Sequence, residues 1–114
     1  MDPISAVLIH KALDGLSMRQ AATAQNIANA STAGYRPVRV TFEESLRAAA
    51  GQSERAIRNV RPQLVRADSP AFGTEMRLDL ELATASETAN RYAALVSLLD
   101  RQMQIQRTAI RGGQ

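Results

Sequence analysis

The sequence predicts a mainly α chain, with long N- and C-terminal helices packed as a coiled coil around a small irregular middle that holds short strands. Three observations predict this. Apolar residues recur in steps of three and four at both ends of the chain. Alanine is abundant while Trp is absent and Phe and Tyr number two each, so small side chains favour close helix approach over a bulky core. Glycines and turn-forming residues mark off a middle segment with a different texture. The organisation expected is a helix within residues 1–34, a mixed segment over 35–79 and a second helix within 80–114.

The first helix is expected from Ile4 to Ser31. Asp2 suits the cap and Pro3 the first helical position. Its seam runs Ala6, Ile9, Leu13, Leu16, Gln20, Thr23, Ile27, Ala30, alternating by three and four. Gln20 and Thr23 interrupt the apolar run, and Gly15 costs about 1 kcal/mol of helix propensity against Ala. The helix is therefore expected to be the weaker of the two and to order on assembly. Gly34 is expected to stop it in the left-handed conformation.

In the middle, Val38, Val40 and Phe42 alternate with polar residues, a short-strand pattern. Thr41 with Glu44 three residues later fits a capping box for a short helix through Ala50. Residues 52–59 are polar and predict a mobile loop, Arg61 to Arg66 a second strand, and Asp68 to Gly73 a turn. The last helix, Leu80 to Arg111, is the clearest element. Its seam is Leu82, Ala85, Ala89, Tyr92, Val96, Leu99, Met103, Gln106, Ile110, with a second apolar row at Leu95, Leu98 and Ile105. Acids at its start and arginines at its end complement the helix dipole. At 1.5 Å per residue it forms a rod of about 48 Å.

Packing the two helices together buries one seam of each and leaves the second row of the last helix over, so other copies are expected to cover the surplus. Ile9, Leu13 and Leu16 of the first helix, and Leu82, Ala85, Ala89, Tyr92, Val96, Leu99, Met103 and Ile110 of the last, are the candidate assembly interface.

Residues that carry chemistry are few. Cysteine is absent, so disulfides and thiolate metal sites are excluded. His10, the one histidine, has no ligand partner at helical spacing. Glu43 and Glu44 are adjacent and diverge by about 100° on a helix. No phosphate-binding glycine loop and no nucleophile elbow occur. No catalytic residue, cofactor site or metal site is expected, and an enzyme is not the reading. The net charge is +3, but the arginines are spread along the chain among acids, which argues against a nucleic-acid partner. A basic helical nucleic-acid-binding module stays as an alternative. No apolar run is long enough for a membrane span, and the acid at Asp2 argues against a cleaved secretory signal.

The unusual local string runs Asn26, Ile27, Ala28, Asn29, Ala30, Ser31, Thr32, Ala33, Gly34, Tyr35, Arg36. Two asparagines at i, i+3 have poor helix propensity. They share one face, where their amides can bond the returning segment or a neighbouring chain, with Tyr35 anchoring the exit. This string resembles the ANIANxNTPGYK signature of the flagellar rod, hook and hook-junction group. The match rests on Asn26, Ile27, Ala28, Asn29, Ala30, Thr32, Gly34, Tyr35 and the basic Arg36, and it departs at Ala33, where the group carries Pro, and at Gln25 before the motif. Toward the other end, residues 76–81, Asn90 to Leu95 and Thr108 to Gly113 resemble the small proximal rod members, with an RYxAL-like run and an AIxGG-like end. A sister proximal member, with an RAYxAN-type run, fits less well. The resemblance implies a self-assembling structural subunit of the basal-body rod that transmits torque and lines an export channel. The implied partners are copies of itself, other rod proteins, an inner-membrane ring adaptor and the type III export apparatus. It further implies export without a cleaved signal.

Overall fold

The computed structural model describes residues 1–69 and 78–112. The elements run α1 (Pro3–Ala28), β1 (Val38–Thr41), α2 (Glu43–Ala50), α3 (Glu54–Arg58), β2 (Gln63–Arg66) and α4 (Leu78–Gly112). Of the turn expected from Asp68 to Gly73, residues 70–73 lie outside the described residues, as do Met76, Arg77 and Gly113. The molecule is elongated, 64 × 26 × 14 Å. The mainly helical class is as the sequence predicts, with a long helix from each end of the chain and a two-stranded sheet between them.

α1 begins as expected: Asp2 accepts a hydrogen bond from the Ser5 amide at 2.7 Å, and Pro3 takes the first turn. That bond holds the Asp2 carboxyl below its usual range. The helix ends at Ala28, earlier than the sequence suggests. Asn29 caps it by donating from Nδ2 to the Gln25 carbonyl at 2.9 Å while its Oδ1 accepts from Thr32. Gly34 does adopt positive φ, +77°, but in the turn beyond the helix.

β1 and β2 pair antiparallel with Val38 opposite Arg66 and Thr41 opposite Gln63. Two expectations for the middle segment are corrected. Thr41 does not cap α2, because it is spent in the strand; Phe42 holds the cap position without a side-chain bond. Residues 54–58 are helical rather than a mobile loop, because the Ser53 hydroxyl accepts from the Ala56 amide at 3.0 Å and nucleates α3.

The core joins α1, β1, α2 and α3 through Leu16, Ala22, Val38, Val40, Phe42, Leu46, Ala49 and the fully buried Ile57. Gly15 has its reason here. A Cβ at that position would stand 2.6 Å from Phe42 Cγ, so only glycine lets the ring lie against α1.

α4 packs along α1 in the opposite direction. Asn26 meets Glu81 near one end of the pair, and the Met1 amine meets Gln102 at the other. The side of α4 turned to α1 carries Glu81, Ala85, Thr88, Tyr92, Leu95, Leu99 and Gln102, all buried or half-buried. This is the expected seam rotated by one position. Ala85, Tyr92 and Leu99 belong to both, whereas Leu82, Ala89, Val96, Met103 and Ile110 are exposed. The expected inequality between the helices is inverted as well. α1 buries Ile9, Gly15, Leu16, Ala22, Thr23 and Asn26; α4 buries Glu81 and Thr88.

Candidate functional site

The string beginning at Asn26 is densely hydrogen-bonded to the rest of the described chain. Asn26 is buried, and its amide acts as a strand edge. Nδ2 donates to the Val38 carbonyl at 2.8 Å and Oδ1 accepts from the Val38 amide at 2.9 Å. Oδ1 also accepts from the Tyr35 hydroxyl at 2.7 Å, and Nδ2 donates to Glu81 Oε2 at 3.2 Å. One side chain thus ties α1, the turn, β1 and the start of α4. Tyr35 anchors the exit as the sequence suggests. Burial pushes its phenol pKa up, against the lowering field of Arg66. Ile27 is half-buried on α1, while Ala28, Thr32 and Gly34 are exposed and Ala30 half-buried in the turn. Asn29 does not reach out; it caps its own helix.

A second junction lies two turns earlier on α1 and was not legible from local sequence. Arg19 donates to both Glu43 oxygens, at 2.6 and 2.7 Å, and to the Val40 carbonyl at 2.7 Å. Its guanidinium stacks 5.0 Å above the Phe42 ring centroid. These bonds hold the Glu43 carboxyl below the usual carboxylate range and raise Arg19. Arg91 of α4 stands farther from Glu43, at 3.6 Å, and pairs with Glu87. Nothing in the spacing of Arg19 and Glu43 singles them out, because they meet only once the chain returns along β1. Glu81 was likewise missed; its one legible signal is an acid beside an apolar stripe.

Of the candidate interface residues, Ile9, Leu13, Leu16, Ala85, Tyr92 and Leu99 lie buried or half-buried within this chain. Leu82, Val96, Met103 and Ile110 are 53%, 43%, 47% and 66% exposed. Between α1, α2 and α4 runs an open apolar groove of about 580 Å³, lined by Leu8, Ile9, Leu16, Phe42, Leu46 and Leu95 among others. His10 is exposed on the opposite flank beside Lys11 and Asp14. Among the described residues no cluster of His, Asp or Glu has metal-binding geometry, and no helix is long and apolar enough to cross a membrane.

This architecture defines a class before it defines a protein: paired terminal helices locked by an Asn-centred turn, with a large apolar face left uncovered. Residues 11–36, which contain that turn, match the family described as flagella basal body rod protein. Among curated proteins, the flagellar basal body rod protein FlgB of Borrelia hermsii is 45% identical over 58 residues. That stretch covers 51% of this chain and spans 38% of the relative's length. The resemblance drawn from the sequence is borne out: the matched family is that of flagellar basal body rod proteins, and the relative that shares about half of this chain is a FlgB.

Proposed function

We propose that the chain is a structural subunit of the proximal rod of the bacterial flagellar basal body, self-assembling by helix packing. The observation that carries this reading is the Asn26 junction, which falls inside the matched rod segment and fixes α1 and α4 side by side. In the assembled rod the two helices wind as a coiled coil. The outer stripe Leu82, Val96, Met103 and Ile110 is covered by neighbouring copies and other rod proteins, which bury area that one chain leaves in water. Stacked subunits then transmit torque and line the export channel. The chain performs no catalysis, in keeping with a family that is structural. It reaches the basal body through the type III export apparatus without a cleaved signal and meets the inner-membrane ring adaptor at the rod's base. The alternative within the same group is the sister proximal rod protein FlgC.

Val96 separates assembly from folding because it is exposed. In a strain lacking the gene, the Val96→Asp chain is expected to be expressed and folded yet to leave cells non-swimming, while the unaltered chain restores swimming. Normal swimming on Val96→Asp, or no motility defect on deletion, contradicts the reading.

A further inference from the structure

The two edges of the small sheet are treated differently. The β1 edge is closed by side chains of α1. Asn26 satisfies both the N–H and C=O of Val38, and Arg19 takes the C=O of Val40. Val38 and Val40 therefore turn their backbone groups away from β2. In an antiparallel ladder the residues opposite them do the same. Their partners are Arg66 and Leu64, so the free N–H and C=O groups of those two residues line the outer edge of β2. The Ala67 amide bonds the Pro37 carbonyl at 2.9 Å, which continues the same alternation. Among the described residues nothing hydrogen-bonds the Leu64 or Arg66 backbone along that edge. Every residue of β2 is exposed, with Leu64 and Val65 about half accessible.

An open edge is a template for another strand. Its surroundings say which kind. Residues 36–66 hold seven arginines against three glutamates. Arg36, Arg39, Arg61 and Arg66 lie on or next to the sheet, and none is paired with a carboxylate among the described residues. Arg61 and Arg66 spend their donors on the Arg58, Val60 and Arg36 carbonyls, which leaves their charge unneutralised. A second copy would bring the same arginines to the same edge, and facing like charges destabilise strand pairs. Arginines and Pro62 thus guard the edge against self-pairing, and the charge that repels a copy attracts an acidic strand.

We propose that the outer edge of β2 binds an extended acidic segment of a different protein by strand addition, with Leu64 and Arg66 supplying the main-chain bonds and the flanking arginines the charge selection. This inference is independent of the rod reading. It is tested on the full chain with a synthetic peptide alternating Glu and Val, and with its Lys–Val counterpart, by following backbone amides in solution. The Glu–Val peptide is expected to slow exchange of the Leu64 and Arg66 amides. Its affinity is expected to fall as salt rises, and the Lys–Val peptide is expected to leave both amides unchanged. Leu64→Pro removes an outward N–H without touching the ladder to β1, and is expected to weaken binding about tenfold. Arg39→Glu with Arg61→Glu reverses the preference between the two peptides. The proposal is overturned if neither amide gains protection, if the two peptides bind alike, or if β2 pairs with a second copy. It is equally overturned if a short DNA duplex binds more tightly than the Glu–Val peptide and is indifferent to Leu64→Pro.

Discussion

α1 and α4 show nearly the same apolar spacing in sequence and end in opposite circumstances. α1 is capped at both ends and contacts α4, β1, α3 and α2. α4 is longer, 35 residues against 26, yet leaves Leu80, Leu82, Val96, Leu98, Met103, Ile105 and Ile110 in water. A three-four period reports that a helix owns a stripe; it does not report what covers the stripe. In this chain the stripe with polar interruptions is the one buried, because Thr23 and Asn26 sit against the turn and β1. The cleaner stripe is the one left open.

The contrast can be broken most forcefully in the core. Leu16→Ala should destabilise the chain by about 2–5 kcal/mol in denaturant unfolding, whereas Val96→Ala should change stability by no more than about 0.5 kcal/mol. Similar costs at the two sites would erase the distinction between the helices.

Asn26→Ala comes next. It strands the Val38 amide and carbonyl and the Tyr35 hydroxyl in a buried site, and an unsatisfied buried group costs about 1–3 kcal/mol. A loss of about 3 kcal/mol is expected, and Asn26→Asp should not rescue it, because a carboxylate cannot donate to Val38 or Glu81. Asn29→Ala, which removes only a local cap, should cost about 1 kcal/mol.

The smallest effect is electrostatic. Glu43 is held ionised by Arg19, so its contribution is present at neutral pH and is lost as pH falls below the ordinary glutamate value of about 4.3. The pair is partly exposed, and the loss should stay below about 1 kcal/mol. Unfolding followed from pH 7 to pH 3 should show a fall in stability that Glu43→Gln makes shallower. An unchanged pH profile in that variant would assign the acid sensitivity to other carboxylates.

How far the sequence could be read follows from the same contrast. The α1 seam was legible because Ile9, Leu16, Thr23 and their neighbours all face inward, so a single period describes them. The α4 seam was displaced by one residue because its buried positions include Glu81 and Thr88. Their polar groups become tolerable only where Arg19, Thr23 and Asn26 of α1 line a shared polar cavity with them, which no local pattern reveals. Of the site, the returning chain and Tyr35 were legible from composition. Arg19–Glu43 was not, being a contact between residues 24 apart. Gly15 looked like a weakness in α1 until Phe42 was placed against it, and Ser53 is an ordinary cap that a polar surrounding concealed.

The most direct test of the account is amide exchange along both long helices, in the monomer and in isolated basal bodies. The account predicts that in the monomer α1 from Ile9 to Asn26 is the better protected helix, while α4 beyond Gln102 exchanges rapidly and becomes protected on assembly. Contradiction would come from a monomer in which distal α4 is protected as well as α1, or from a rod in which distal α4 still exchanges freely.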